Sequence, residues 1–248
     1  MWQSLPYCGN PPSPGELLSR FNLDPALIVA LIAIAIAQIA LLRSRSSRAR
    51  AALGWSIAAA ALISPLCALS VSLFSARIAQ HMILLLVAAP LIAASMPVRA
   101  SSQRGSGMLL TASAAFFLAL WGWHMPVPYD ATFSSTPLYW LMHATLFGSG
   151  VLLWRELIHH HISRTGQTLV AGIFASMQMG LLGAVLSLAS HPLFSWHLTR
   201  TTMWGLTPLQ DQQLGGVFMW VPGIALFLWV AIRSLRRMHR ALEDPDPA

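Results

Sequence analysis

Three histidines lie inside long apolar stretches of the chain, each beside a methionine: His81 with Met82, His124 with Met125, and Met142 with His143. Neutral imidazole is a ligand for zinc, copper, iron and haem, and thioether sulfur selects Cu(I). Neighbours on a helix point about 100° apart, so adjacency alone does not let a His–Met pair chelate one ion. The imidazoles are therefore the candidate ligands, with Met82 and Met125 as optional soft ligands, and copper is the metal that suits such a set. Asp211 is the lone acidic residue of 209–216. It reads either as an N-cap group for the helix that follows or as a metal ligand or carboxylate that orients an imidazole.

The elements that position these residues are membrane helices. The chain has 248 residues, 56% of them hydrophobic and 9% charged, with a mean hydropathy of +0.61. Soluble domains carry about a quarter of their residues as charged side chains, so a water-soluble globule is excluded. A bilayer core takes about 20 apolar residues per helix. Seven runs qualify, at 25–42, 52–73, 78–96, 108–124, 138–154, 168–190 and 214–232. The sequence thus predicts an all-α bundle of seven transmembrane helices at 25–235, an extracytoplasmic segment at 1–24 and a cytoplasmic tail at 236–248. Residues 1–25 have neither a basic start nor a cleavage motif, so the first run is read as a retained helix.

The net charge of +7 becomes informative once mapped. Arg43, Arg45, Arg48, Arg50, Arg99, Arg104, Arg155, Arg164, Arg233, Arg236, Arg237 and Arg240 fall on one side of the seven runs, and Arg20, Arg77 and Arg200 on the other. The positive-inside rule puts the N-terminus outside and the C-terminus in the cytoplasm, and reads the basic charge as orientation, not as a nucleic-acid surface. At about 1.5 Å per residue, His81, His124 and His143 then lie within roughly 10 Å of the outer boundary, at one depth on three helices. A single interfacial histidine is more often a hydrogen-bonded structural group, but three at matched depth inside membrane helices mark a site.

Other features read more plainly. The chain has no Lys, no phosphate-cradling loop, no HExxH, no CxxC and no nucleophile elbow, so it is not expected to be an enzyme. Gln178 needs a helix–helix hydrogen bond, and Gly172, Ser176, Gly180 and Ala184 form a small-residue stripe for close packing. His159, His160 and His161 are expected to be interfacial and non-ligating. Cys8 and Cys67 are placed at the outer face, where a disulfide between them is permitted.

The ordered motifs resemble a known family. Ala79-Gln80-His81-Met82 through Ala88-Ala89-Pro90-Leu91, Trp123-His124-Met125-Pro126 with Tyr129-Asp130, His143 with Trp154, and Asp211-Gln212-Gln213-Leu214-Gly215-Gly216 through Met219-Trp220-Val221-Pro222-Gly223 look like the multi-pass CtaG family of cytochrome c oxidase assembly proteins, associated with caa-type oxidases. The resemblance covers roughly residues 55–235. It implies a multi-pass protein of the bacterial inner membrane that delivers copper to a haem-copper oxidase. Its partners would be oxidase subunits and a periplasmic copper chaperone, and His81, His124, His143 and Asp211 are the polar residues of the matched motifs. Family members often carry a second histidine four or five residues before the one matching His143; here the segment reads Leu138-Tyr139-Trp140, and His191 is the candidate substitute. Two rival expectations are a copper or small-solute transporter, with a polar path through Gln178, and a metal-free assembly scaffold.

Overall fold

The structure is a computed structural model describing residues 5–97, 107–159 and 165–243, and among these residues it is helical, with no strand. The helices are α1 (Pro25–Leu41), α2 (Arg45–Ile63), α3 (Leu66–Ser72), α4 (Phe74–Met82), α5 (Ala89–Ser95), α6 (Gly107–Trp123), α7 (Pro126–Ala131), α8 (Thr136–Ile158), α9 (Thr165–Ser187) and α10 (Pro208–Glu243). A π-helical segment, Ile83–Ala88, joins α4 to α5. Arg99, Arg104, Arg164, His160 and His161 lie outside the described residues.

Helix starts follow from capping chemistry. Asp24 accepts from the Ala26 amide ahead of α1, Ser44 from Ser47 ahead of α2, and Ser135 from Leu138 ahead of α8. Thr207 and Gln210 form a reciprocal capping box at α10: the Thr207 amide donates to Gln210 Oε1 at 2.9 Å and the Gln210 amide to Thr207 Oγ1 at 3.2 Å.

All seven apolar runs are helical, with differences in extent. The run at 52–73 is two helices, α2 and α3, meeting at 46°, because Pro65 follows an extended Ser64 and cannot continue the α2 hydrogen-bond ladder. Arg45, Arg48 and Arg50 belong to α2 and not to the preceding loop, and α10 continues to Glu243, past position 235. Phe74–Ser95, Thr165–Ser187 and Pro208–Arg240 are long and apolar enough to cross a membrane, and the bent α2–α3 pair makes a fourth; α1 and α6 are apolar but shorter. That is fewer than seven by length and composition. α8 has 23 residues and is long enough, but polar residues through its first half, His143 among them, keep it out of that set.

The continuous rod of α4, the π segment and α5 is central, packing on α2, α3, α8 and α10. Its main core includes Phe74, Ile78, Met82, Leu85, Ala89, Phe116, Leu120, Trp154 and Met179. The π segment leaves one carbonyl without a backbone donor. In an i to i+5 register the Leu85 carbonyl would pair with the nitrogen of Pro90, which carries no hydrogen. The Trp154 indole donates to that carbonyl instead, at 2.7 Å, while its ring stacks on Phe227. The expected small-residue stripe of α9 is not the closest helix contact. A Cβ on Gly180 would meet nothing within 4 Å, whereas one on Gly216 of α10 would come within 2.7 Å of the Gly183 carbonyl. The tight α9–α10 approach therefore uses Gly183 and Gly216. Gln178 does accept a helix–helix hydrogen bond, from Trp121 at 3.0 Å.

Trp154→Phe keeps an aromatic ring but strands the buried Leu85 carbonyl. It should cost about 1–3 kcal/mol, read as a lower unfolding midpoint in detergent, while Trp121→Phe at the part-buried Gln178 bond should cost less.

Candidate metal centre

The three helices predicted to carry histidines do bring them together. His81 on α4, His124 just beyond α6 and His143 on α8 are each buried, at 2%, 4% and 4% exposure. The His81 ring lies 5.3 Å from the His143 ring and 5.7 Å from the His124 ring, centroid to centroid and steeply inclined to both.

Backbone carbonyls set the protonation of two of these rings. His124 Nδ1 lies 2.6 Å from the Leu120 carbonyl and His143 Nδ1 3.0 Å from the Tyr139 carbonyl. A carbonyl only accepts, so each Nδ1 carries the hydrogen and each Nε2 presents a bare lone pair. Neither Nε2 has a hydrogen-bond partner, and neither does either nitrogen of His81. A neutral His81 offers one N–H for the two Nε2 acceptors, so at least one of them is left without a donor. Buried polar groups are normally paired; this pocket has lone pairs in excess of hydrogens, which suits a Lewis-acidic cation.

The two ring spacings that involve His81 are compatible with that chemistry. Two imidazoles bound to one ion at about 2.0–2.1 Å, at a trigonal angle, have centroids about 5.5 Å apart. The described residues contain no group of three or more His, Cys, Asp or Glu side chains already arranged to hold a metal, so the fit is one of donor type and spacing.

The remaining candidates sit elsewhere. Asp211 accepts from the Phe74 amide at 2.6 Å, the Ser75 amide at 3.0 Å and the Ser75 hydroxyl at 2.5 Å. It caps α4, across 136 residues of chain from Ser75, and is not grouped with the imidazoles. The capping box of α10 makes a local capping role for it unnecessary. Met82 is packed into the main core, Met125 is exposed, and His191 is exposed on a loop, bonded to Ser190 at 3.3 Å. His159 pairs with the Ala93 carbonyl at 3.0 Å.

His197 shows what a satisfied histidine looks like in the same protein. Its Nδ1 faces the Ser72 carbonyl at 3.1 Å and its Nε2 accepts from the Tyr129 hydroxyl at 2.9 Å. Burial pushes this loop imidazole down to about 3, so it stays neutral. Asp130 holds the segment in place by accepting from the Ser195 amide and hydroxyl.

Four and five residues before His143, where family members often carry a second histidine, stand Tyr139 and Leu138; Tyr139 is fully buried, with its ring 4.2 Å from that of His143. Cys8 and Cys67 form a disulfide with a Cα–Cα distance of 5.5 Å, and both sulfurs lie near the Tyr139 hydroxyl, at 3.5 and 3.7 Å. Tyr7 stacks on Tyr139 at 4.8 Å and donates its hydroxyl to Asp24. The Tyr7 hydroxyl and the Ala26 amide hold the Asp24 carboxyl below its usual range. The N-terminal segment is thereby fastened beside the cluster. A cavity of about 390 Å³, walled mainly by apolar residues of α1 and α8 together with Trp55 and Leu84, reaches His143 from the side.

With this geometry in hand, comparison with known proteins is specific. The family model of the cytochrome c oxidase caa3 assembly factor (Caa3_CtaG) matches residues 36–241. The chain belongs to that family. No curated protein and no solved structure matches it. The family match covers all three clustered histidines, Tyr139 and Asp211, while Cys8 and Asp24 lie before it. The residue that sequence reasoning missed in this family member is Arg77, counted there only as a loop charge. Its signal was its spacing, four residues before His81 in an apolar run.

Asp211→Asn keeps the side chain's shape but halves its acceptors and removes the charge facing the amides of α4. The expected loss is about 1.5–3 kcal/mol of stability, measured as a lower thermal midpoint with helix content retained at low temperature.

Proposed function

We propose that this cytochrome c oxidase assembly factor binds Cu(I) at His81, His124 and His143 and passes it to a haem-copper oxidase in the bacterial inner membrane. The observation that carries the reading is the set of buried imidazole nitrogens without partners on a chain of an oxidase-assembly family. His81 would present either nitrogen, and His124 and His143 their Nε2 atoms. Copper is cargo here, not a resident cofactor, and the protein is an assembly factor rather than a catalyst.

In this reading all seven apolar helices cross the bilayer, with the N-terminus outside and the C-terminus in the cytoplasm. The twelve arginines on one side supply the orientation. The histidine end then faces the compartment from which a copper chaperone would load the site and in which oxidase subunits would receive the metal. Asp211 serves the site through α4, Met82 through core packing, and Met125 and His191 are solvent-facing groups outside the cluster. The transporter reading is weaker, because the Gln178 carbonyl that would continue a polar path accepts from Trp121.

The test is copper stoichiometry of the detergent-purified full chain under reducing conditions. Wild type should bind about one Cu(I), and His81→Ala combined with His124→Ala should abolish binding while leaving the unfolding midpoint within a few degrees. Unchanged copper binding in the double variant would remove the proposed ligands. A wild type that binds no copper but still co-purifies with an oxidase subunit would establish a metal-free scaffold instead.

A further inference from the structure

Among the described residues, the largest fully buried side chain is a cation with no carboxylate in ion-pair contact. Arg77 is 1% exposed. Its Nη1 donates to Thr132 Oγ1 at 2.6 Å, and its Nε has no partner. The guanidinium is enclosed by the rings of Phe133, Tyr129 and Tyr139, at 3.9, 5.3 and 5.6 Å. Cation–π contacts of this kind hold a desolvated charge without neutralising it.

Arg77 is also part of the histidine site's surroundings. It precedes His81 by one turn on the same face of α4. Tyr139 neighbours both Arg77 and His143, its ring 5.6 Å from the guanidinium and 4.2 Å from the imidazole. Two carboxylates lie nearby without an ion-pair contact to the guanidinium: Asp211 accepts from the first amides of α4, and Asp130, whose charge partly offsets that of Arg77, accepts from Ser195 and Trp196.

Three neutral imidazoles are an ordinary donor set for Zn(II) or Cu(II), which would outcompete other divalent first-row ions. Coulomb repulsion from a fixed positive charge scales with the charge of the incoming ion, and it is strong where water is excluded. We propose that Arg77 is a charge filter, penalising divalent ions about twice as strongly as monovalent ones and so reserving the imidazole cluster for Cu(I). This rests on the cluster being a metal site, and it adds the basis of its selectivity. It also gives a role to a buried charge whose desolvation no ion pair repays.

The experiment compares Ag(I), a redox-inert stand-in for Cu(I), with Zn(II) by competitive titration of the full-length protein in detergent. Wild type should prefer Ag(I). Arg77→Met should lower the Ag(I)-over-Zn(II) affinity ratio by about tenfold or more, chiefly by tightening Zn(II), and Arg77→Lys should keep the wild-type ratio. Arg77→Gln supplies a second neutral variant if the Met variant does not fold. A neutral variant that binds both ions with the wild-type ratio overturns the filter while leaving the metal site standing. A wild type that binds neither ion overturns the metal site itself.

Discussion

The carboxylate of Asp211 fixes where α4 begins, and the rest of the candidate site inherits its geometry from that point. The chain is extended at Leu73, so the first amides of α4 emerge in the protein interior with no carbonyl to receive them. Three donors from Phe74 and Ser75 meet one carboxylate from the first turn of α10. This joins the central rod to the longest helix and sets the register at which Arg77 and His81 appear one turn apart. Downstream, the π segment and the Trp154 bond to Leu85 accommodate Pro90 without leaving a buried carbonyl unpaired. The start of the rod and its π segment are thus held by side chains from other helices.

Around this rod the protein separates two kinds of buried histidine. His197 has a partner on each nitrogen and pins a loop. His124 and His143 have one partner each, both backbone carbonyls four residues back, and these orient the rings so that the remaining nitrogen is an acceptor. His81 has none. An apolar protein that leaves four imidazole nitrogens unpaired near a guanidinium whose Nε is also without a partner carries a desolvation cost at one place. Unpaired groups concentrated in this way are the signature of a site that completes its bonding only with a ligand.

Much of this was legible in the sequence because it depends on local pattern. The seven apolar runs are helices, and the matched depth of His81, His124 and His143 follows from helical rise alone. Gln178 found the interhelical partner that its apolar surroundings demanded. What was not legible depends on contacts between distant residues. Asp211 reads locally as a cap or ligand, since nothing in its neighbourhood points to amides more than a hundred residues earlier; the Thr207–Gln210 capping box was the available hint that α10 did not need it. The small-residue stripe of α9 was placed one face away from the true contact, because Gly183 meets Gly216 through three-dimensional packing and not through period. Arg77 was absorbed into a charge count that treats every arginine at a helix end as solvated.

The central claim is that the three imidazoles, and not sulfur, take the metal. X-ray absorption at the copper edge of the Cu(I)-loaded protein tests it directly. The account predicts two or three nitrogen scatterers at about 2 Å with the outer-shell pattern of imidazole and no sulfur at about 2.3 Å. A first shell dominated by sulfur, from methionine or from reduced Cys8 and Cys67, would contradict it.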